Sequence, residues 1–292
     1  MTKEDEEWNA GRADFPLPYV KTGLDRASLA ADLRSTGLRY GAVVLAHTSL
    51  SHIGWIEGGA GTLLAALRDV IGSQGTVVVP TFTSWNSDTS RAYRARTRGM
   101  TTHRLRWYRE RLPAFDRDTT PSVECGLFSE AVRTAPGAVR SGHPQTSFAA
   151  VGPEAARLMR THDLNDHLGE RSPLAELYRI DAQVLLMGVG FDKCTAFHLA
   201  EYRYTAAPPL TRYGCKINIG GVPVWRNYVD VVLDDRDFAA CGQAMEARVP
   251  VVKGQVGRAQ TCCFSLRQAV DFAKIWLREN RRPDQARDIT FQ

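Results

Sequence analysis

The chain has 292 residues, 43% of them hydrophobic, and a formal net charge of +5. That content can bury a sizeable core and fits one large α/β domain or two small ones, of which a single domain is the preferred reading. No run approaches the roughly 18 apolar residues of a membrane span, the opening MTKEDEEWNAGRADF is acidic where a secretory signal is basic and then apolar, and the arginines are dispersed, so membrane and nucleic-acid partners are not expected.

A soluble cytoplasmic protein is therefore expected. Its surplus positive charge suits a small phosphorylated anion better than a polymer. Six cysteines, Cys125, Cys194, Cys215, Cys241, Cys262 and Cys263, are scattered without paired spacing and read as free thiols. Residues 1–22 read as a flexible leader, with Trp8 and Phe15 able to dock on the body, and residues 23–292 as the α/β domain.

In chain order, Leu24 to Thr36 reads as a helix stopped by Gly37. Gly41 to Ala46 is a buried strand delivering a polar turn, His47, Thr48, Ser49, Leu50 and Ser51, at the carboxyl edge where open α/β sheets collect ligands. A glycine-rich loop follows, and Thr62 is placed to cap a helix through Ile71. A glycine loop entering a helix can hold an anion or simply make a tight turn. The Gly-Lys-Ser/Thr ending of a nucleotide P-loop and the dinucleotide glycine pattern are both missing. Gly75 to Pro80 is a second central strand, and Thr81, Phe82 and Thr83 leave its carboxyl end beside the first turn, so that the two ends build one crevice.

From Ser84 to Pro121 the pattern turns polar and arginine-rich, with a short helix expected around Arg104 to Arg111. It reads either as a pocket-shaping excursion or as a solvated insertion. Phe128 to Thr134 looks helical. His143, ahead of Pro144, is held extended and reads equally as a cofactor contact or as a loop histidine bonded to backbone. A short strand then runs to Gly152, and Pro153 is expected at the first position of a helix to Arg160. His162, Asp163, Asp166 and His167 lack the spacing of a zinc site, so no metal is expected. Asp163, Asp166 and Glu170 serve as rim carboxylates or solvated charges.

The stretch Val184 to Tyr204 carries the most chemistry. Val184 to Val189 is an apolar strand of the kind buried on both faces of a parallel sheet. Thr195 is a candidate N-cap that puts His198 in the first turn of a helix, where the dipole disfavours an imidazolium and keeps the ring a proton acceptor. Glu201, three residues on, faces the same side and can orient that ring or meet a cationic ligand. Cys194, four residues before His198, leaves a thiol-dependent hydrolase open as an alternative. Lys216 to Val224 then reads as a hairpin turning at Gly220 and Gly221. Asp234, Asp235 and Asp237 open a helix, Arg258 to Phe264 is a strand, and Ser265 to Glu279 an amphipathic helix before an arginine-rich end expected to fray. The elements together make an α/β fold: a central, mostly parallel sheet flanked by helices on both faces, with an added C-terminal hairpin and helices.

Four ordered blocks, Val44 to Thr83, Ser141 to Pro153, Leu168 to Gly190 and Thr195 to Arg203, resemble the aminoglycoside 3-N-acetyltransferase, or antibiotic N-acetyltransferase, family. With a weaker match from Trp225 to Leu277, the resemblance covers nearly everything after about residue 23. It implies transfer of an acetyl group from acetyl-CoA to the 3-amino group of an aminoglycoside, with His198 as general base and Asp230, or Glu201, holding the ring. Where the family often carries a second acidic residue downstream, this chain has Val232. The resemblance further implies that His47 to Ser51 border the pantetheine arm and phosphates of the cofactor. Thr81, Thr83, His143, Ser147 and Phe148 join them as expected cofactor contacts, and Asp163, Glu201 and Asp234 are expected to meet the cationic acceptor. Thr48 and Ser49 are candidate oxyanion donors. An acetyltransferase acting on another small amine is the nearest alternative, a binding protein without chemistry is a further one, and homodimer formation is left open.

Overall fold

The computed structural model describes residues 23–281. The expected leader, residues 1–22, and most of the arginine-rich end lie outside the described residues. Nine strands are described: β1 (Val43–Thr48), β2 (Thr76–Pro80), β3 (Val139–Arg140), β4 (Phe148–Val151), β5 (Gln183–Met187), β6 (Leu210–Ile219), β7 (Val222–Val231), β8 (Val251–Val256) and β9 (Ala259–Ser265). Seven of them form one sheet in the order β3-β4-β2-β1-β5-β9-β8, and β6 and β7 pair separately. The centre is parallel, β1 lying between β2 and β5, while both flanks are antiparallel.

Alternation along the central strands explains why they read as unbroken apolar runs. Val44, Ala46, Val77, Val79, Leu185 and Met187 face one layer, with Leu29, Leu33, Leu63, Leu67 and Phe128. Their neighbours Leu45, Val78, Val184 and Leu186 face the other, with Leu174, Phe197, Phe238 and Leu277. A strand sandwiched between two helical layers has no polar face, so period-two patterning vanishes.

The helices differ from expectation mainly at their ends. The helix after the glycine loop runs Gly59–Ile71 and is capped by Gly58 at φ 74°, a left-handed conformation that favours glycine, so Thr62 sits inside it. Pro153 precedes its helix, Ala155–Leu158, which is capped by Glu154. The arginine-rich stretch forms two helices, Arg91–Thr97 and Thr102–Arg111, capped by the side chains of Ser90 and Thr101. The hairpin turns at Gly220 and Gly221, both at positive φ, as their spacing predicts. Among the described residues no helix is long and apolar enough to cross a membrane.

One ion pair braces a wall of the site described below. In the helix Gly126–Arg133, Glu130 accepts two bonds from Arg133 (2.9 and 2.6 Å) and one from the Ser122 hydroxyl (2.8 Å). The Arg133 bonds hold the Glu130 carboxyl down to about 2 from an ordinary 4.5. A depressed carboxyl stabilises the fold above its unfolded value, and that contribution is lost as pH falls from the ordinary value towards 2. Glu130→Gln should therefore cost about 1 kcal/mol at neutral pH, discounted for the pair's partial exposure. In denaturation curves run from pH 7 downward, the gap between variant and parent should close as the carboxyl protonates.

Candidate active site

The carboxyl ends of the three parallel strands converge on one cleft. From β1 come His47 and Thr48, followed by Ser49, Leu50 and Ser51; beyond β2 lie Phe82 and Ser84; beyond β5 come Val189 and, further on, Thr195 and His198. Helix Gly126–Arg133 adds Gly126, Leu127 and Ser129 to this lobe, which holds about 620 Å3. A second lobe of about 330 Å3 is lined by Ser87, Thr89, Ser90, Arg94, Gln145, Thr146, His167, Thr211 and Tyr213. His198, Phe82, Ser84 and Asp235 line both lobes, so the imidazole stands at the junction.

His198 belongs to a helix of five residues, Phe197–Glu201, capped by Ala196 without a side-chain bond. Thr195 is therefore not the N-cap; its carbonyl accepts the His198 N–H at 3.1 Å. So short a helix carries little dipole, and the ring is governed by its neighbours. His198 Nδ1 lies 2.6 Å from Glu201 Oε2. The other carboxylate oxygen, Oε1, accepts the Asp234 N–H at 2.9 Å and a guanidinium N–H of Arg281 at 2.5 Å. With Glu201 as the accepting carboxylate, Nδ1 carries the ring proton and Nε2 keeps the free lone pair.

Asp230, expected to steady the ring, is turned elsewhere. Its carboxylate accepts the His167 N–H (2.6 Å), the Tyr202 hydroxyl (2.8 Å) and the Val231 N–H (2.7 Å). Near the end of β7, these bonds tie the hairpin to His167 and Tyr202. Burial raises its carboxyl despite them. The partner on His198 is Glu201, the alternative named beside Asp230.

Three polar atoms of the cleft make no hydrogen bond within the protein although they are buried: His47 Nε2, Thr48 Oγ1 and Ser84 Oγ. Buried polar groups are ordinarily paired, so three such atoms in one cleft point to a polar ligand. Burial, with His198 close by, pushes the His47 imidazole down to about 3, so this ring is neutral throughout the physiological range.

Other expected cofactor contacts lie away from the cleft. Thr81 and Ser147 are fully buried and bound to each other and to Arg140, whose Nε reaches Ser147 Oγ at 3.0 Å. Thr83 donates its hydroxyl to the Pro144 carbonyl. His143 is the backbone-bonded loop histidine: its Nδ1 accepts the Gln145 and Thr146 N–H groups, and its Nε2 meets the Leu164 carbonyl. Phe148 is wholly buried in the core. Thr81, Thr83, His143 and Ser147 thus satisfy buried backbone groups, and Phe148, the first residue of β4, fills the core. Phe148→Ala accordingly should remove about 3–5 kcal/mol of stability, measured by urea denaturation, and leave the KM for cofactor unchanged.

The expected acceptor carboxylates are also relocated. Asp163 pairs with Arg171 at the surface, and Asp234 pairs with Arg236 at 2.9 Å, while Asp235 faces both lobes. Cys194 lines the first lobe but is fully buried, and burial drives its thiol far above the ordinary range, which is poor preparation for a nucleophile. The hydroxyls of Ser87, Thr89 and Ser90 and the aromatic Tyr213 are not singled out by the sequence; the run SWNSDTS is the available signal for the three hydroxyls.

The wound α/β sheet thus carries a carboxylate-held imidazole between two lobes, with room for two ligands to meet at one base. The chain belongs to the aminoglycoside 3-N-acetyltransferase family, whose model matches residues 45–278. The SPbeta prophage-derived aminoglycoside N(3')-acetyltransferase-like protein YokD of Bacillus subtilis is 38% identical over 259 residues, covering 87% of this chain and 93% of that protein. Aminoglycoside N(3)-acetyltransferase VII of Streptomyces paromomycinus is 34% identical over 278 residues, covering 87% and 91%. The crystal structure of YokD superposes with a TM-score of 0.83 at 37% identity, covering 88% of this chain and 94% of that one. AAC-IIIb in its binary complex with CoASH superposes at 0.76 and 28% identity, covering 90% and 100%. AAC-VIa bound to sisomicin does so at 0.75 and 28%, covering 89% and 99%. The protein is an acyltransferase of that family.

Proposed function

We propose that the chain acetylates the 3-amino group of aminoglycosides by direct transfer from acetyl-CoA, with His198 as general base. The observation that carries this reading is the imidazole at the junction of two lobes, held through Nδ1 so that Nε2 is free. The larger lobe suits the cofactor arm: it is walled by apolar Leu50, Phe82 and Leu127, and its three unbonded polar atoms can meet amide and thioester groups. The smaller, hydroxyl-lined lobe suits a sugar, with Asp235 facing an ammonium group.

An aminoglycoside amine arrives protonated and attacks only as the neutral base. In the proposed step the C–N bond forms at the thioester carbonyl as the amine proton passes to His198 Nε2. The C–S bond then breaks, His198 delivers that proton to the departing sulfur, and the second proton, left on the new amide nitrogen, passes to solvent. Neutral His47, the Thr48 and Ser84 hydroxyls and the region of Ser49 are the candidates to meet the carbonyl oxygen as it gains charge. Glu201 orients the ring and stabilises the imidazolium.

Thiol release from acetyl-CoA, followed with gentamicin-class and kanamycin-class acceptors and with the product's acetyl group located by NMR, tests this reading. Acetylation at the 3-amino group is expected. Coenzyme A binding without thiol release on any aminoglycoside would move the acceptor to another small amine.

A further inference from the structure

Just after the helix Leu266–Asn280, the chain places one side chain against the back of the site. Arg281 donates to Glu201 Oε1 at 2.5 Å and to both carboxylate oxygens of Asp237 at 2.7 and 2.5 Å, and it also reaches the Asp234 carbonyl. Its side chain is 13% exposed, while that of Glu201 is 1% exposed. The guanidinium lies 5.7 Å from the centre of the Phe238 ring, and that ring packs 4.8 Å from His198. Arg281 lines neither lobe; it acts through Glu201.

We infer that Arg281 is a positioning residue for the transfer reaction, a fork that fixes the Glu201 carboxylate so that its other oxygen holds His198 Nδ1. The inference rests on the reading of His198 as base. A carboxylate this buried needs a counter-charge to stay ionised, and a planar guanidinium supplies it in one orientation. Glu201 then has no freedom to rotate, and the proton on Nδ1 has no freedom to move to Nε2. Arg281 thus contributes to catalysis without lining either lobe.

The same geometry sets the direction of a pH effect. The charged and titratable groups around the His198–Glu201 pair are His47 from β1, His167 from the loop before the helix Pro173–Arg179, Tyr213 from β6 and Tyr204 after the pair's own helix. From the helix Phe238–Glu246 and its approach come Asp234, Asp235, Asp237 and Cys241. Arg281 is the cation bound to this group among the described residues. Removing it takes a positive charge from behind the His198–Glu201 pair, and the pair as a unit then holds one more proton over a wider pH range. The acid limb of the kcat/KM profile should move to higher pH.

The test uses the full chain with Arg281→Met, Arg281→Lys and, as a control on the same surface, the exposed Arg278→Ala. For Arg281→Met, kcat should fall about ten- to a hundredfold, the scale of loss when the outer partner of a metal-bound histidine is removed, carried over to a histidine held by one carboxylate. The KM for acetyl-CoA should be little changed, and the acid limb should be displaced upward. Arg281→Lys keeps the charge without the fork, so it should retain the parent limb and recover part of kcat; Arg278→Ala should behave as the parent. An Arg281→Met enzyme with the parent's rate and limb overturns the inference, as does a rate loss with an unmoved limb that Lys does not relieve. Should Arg281→Met fail to fold, Arg281→Lys carries the test, and a limb displaced upward in that variant overturns it. His198→Ala run alongside separates the two readings: intact turnover there removes the base itself, whereas lost turnover with a parent-like Arg281→Met leaves the base standing and removes Arg281 alone.

Discussion

His198→Ala should lower kcat by about a hundred- to ten-thousand-fold, the usual contribution of a positioned general base. The KM for acetyl-CoA should change little, because the walls of the larger lobe, His47 to Ser51 with Phe82, Ser84 and Val123 to Leu127, are untouched. Residual turnover should rise with pH more steeply than in the parent. Without the imidazole, only the acceptor already deprotonated by solvent can attack, and that fraction grows as the medium becomes alkaline. Initial rates of thiol release across a pH series check both parts. The substitution should be mild for stability, since the ring sits at a cleft junction and its removal leaves Glu201 still bound by Arg281 and the Asp234 N–H.

Glu201→Gln should be nearly as damaging to catalysis and more damaging to the fold. An amide in place of the carboxylate can present its N–H to Nδ1, which pushes the ring proton to Nε2 and blocks the nitrogen that must accept. Loss of the orienting carboxylate from a comparable arrangement costs up to about ten-thousand-fold in kcat. Breaking a buried ion pair costs about 3–5 kcal/mol, and the lower end is expected here because Arg281 keeps Asp237. Steady-state kinetics beside urea denaturation separate the two effects. A Glu201→Gln enzyme with parental kcat would return the supporting role to a different carboxylate.

Much of the sheet was legible in the chain because burial on two faces writes itself as runs such as VVVP and VLLM. The polar turn after β1 was legible for the same reason, since a strand that ends abruptly in His-Thr-Ser marks the sheet's carboxyl edge. Legibility failed where several residues emerge from one strand end and only tertiary packing decides which face the cleft. Thr81 and Thr83 follow β2 as His47 and Thr48 close β1, yet they turn inward to Ser147 and Pro144, while Phe82 and Ser84 face the lobes. The carboxylates show the same limit. Glu201 lies three residues from His198 and could be read from helical spacing. Asp230 was brought forward by resemblance and is spent on His167 and Tyr202, and Arg281, 80 residues from Glu201, left no local trace.

The measurement that bears most directly on the central claim is rapid mixing of enzyme with acetyl-CoA in the absence of acceptor, followed by addition of an aminoglycoside. Direct transfer to an amine deprotonated by His198 requires that no coenzyme A thiol appear in the first phase and that release begin only when the acceptor arrives. A burst of thiol stoichiometric with enzyme before any acceptor is added would mean that a protein group takes the acetyl first, and would contradict the account.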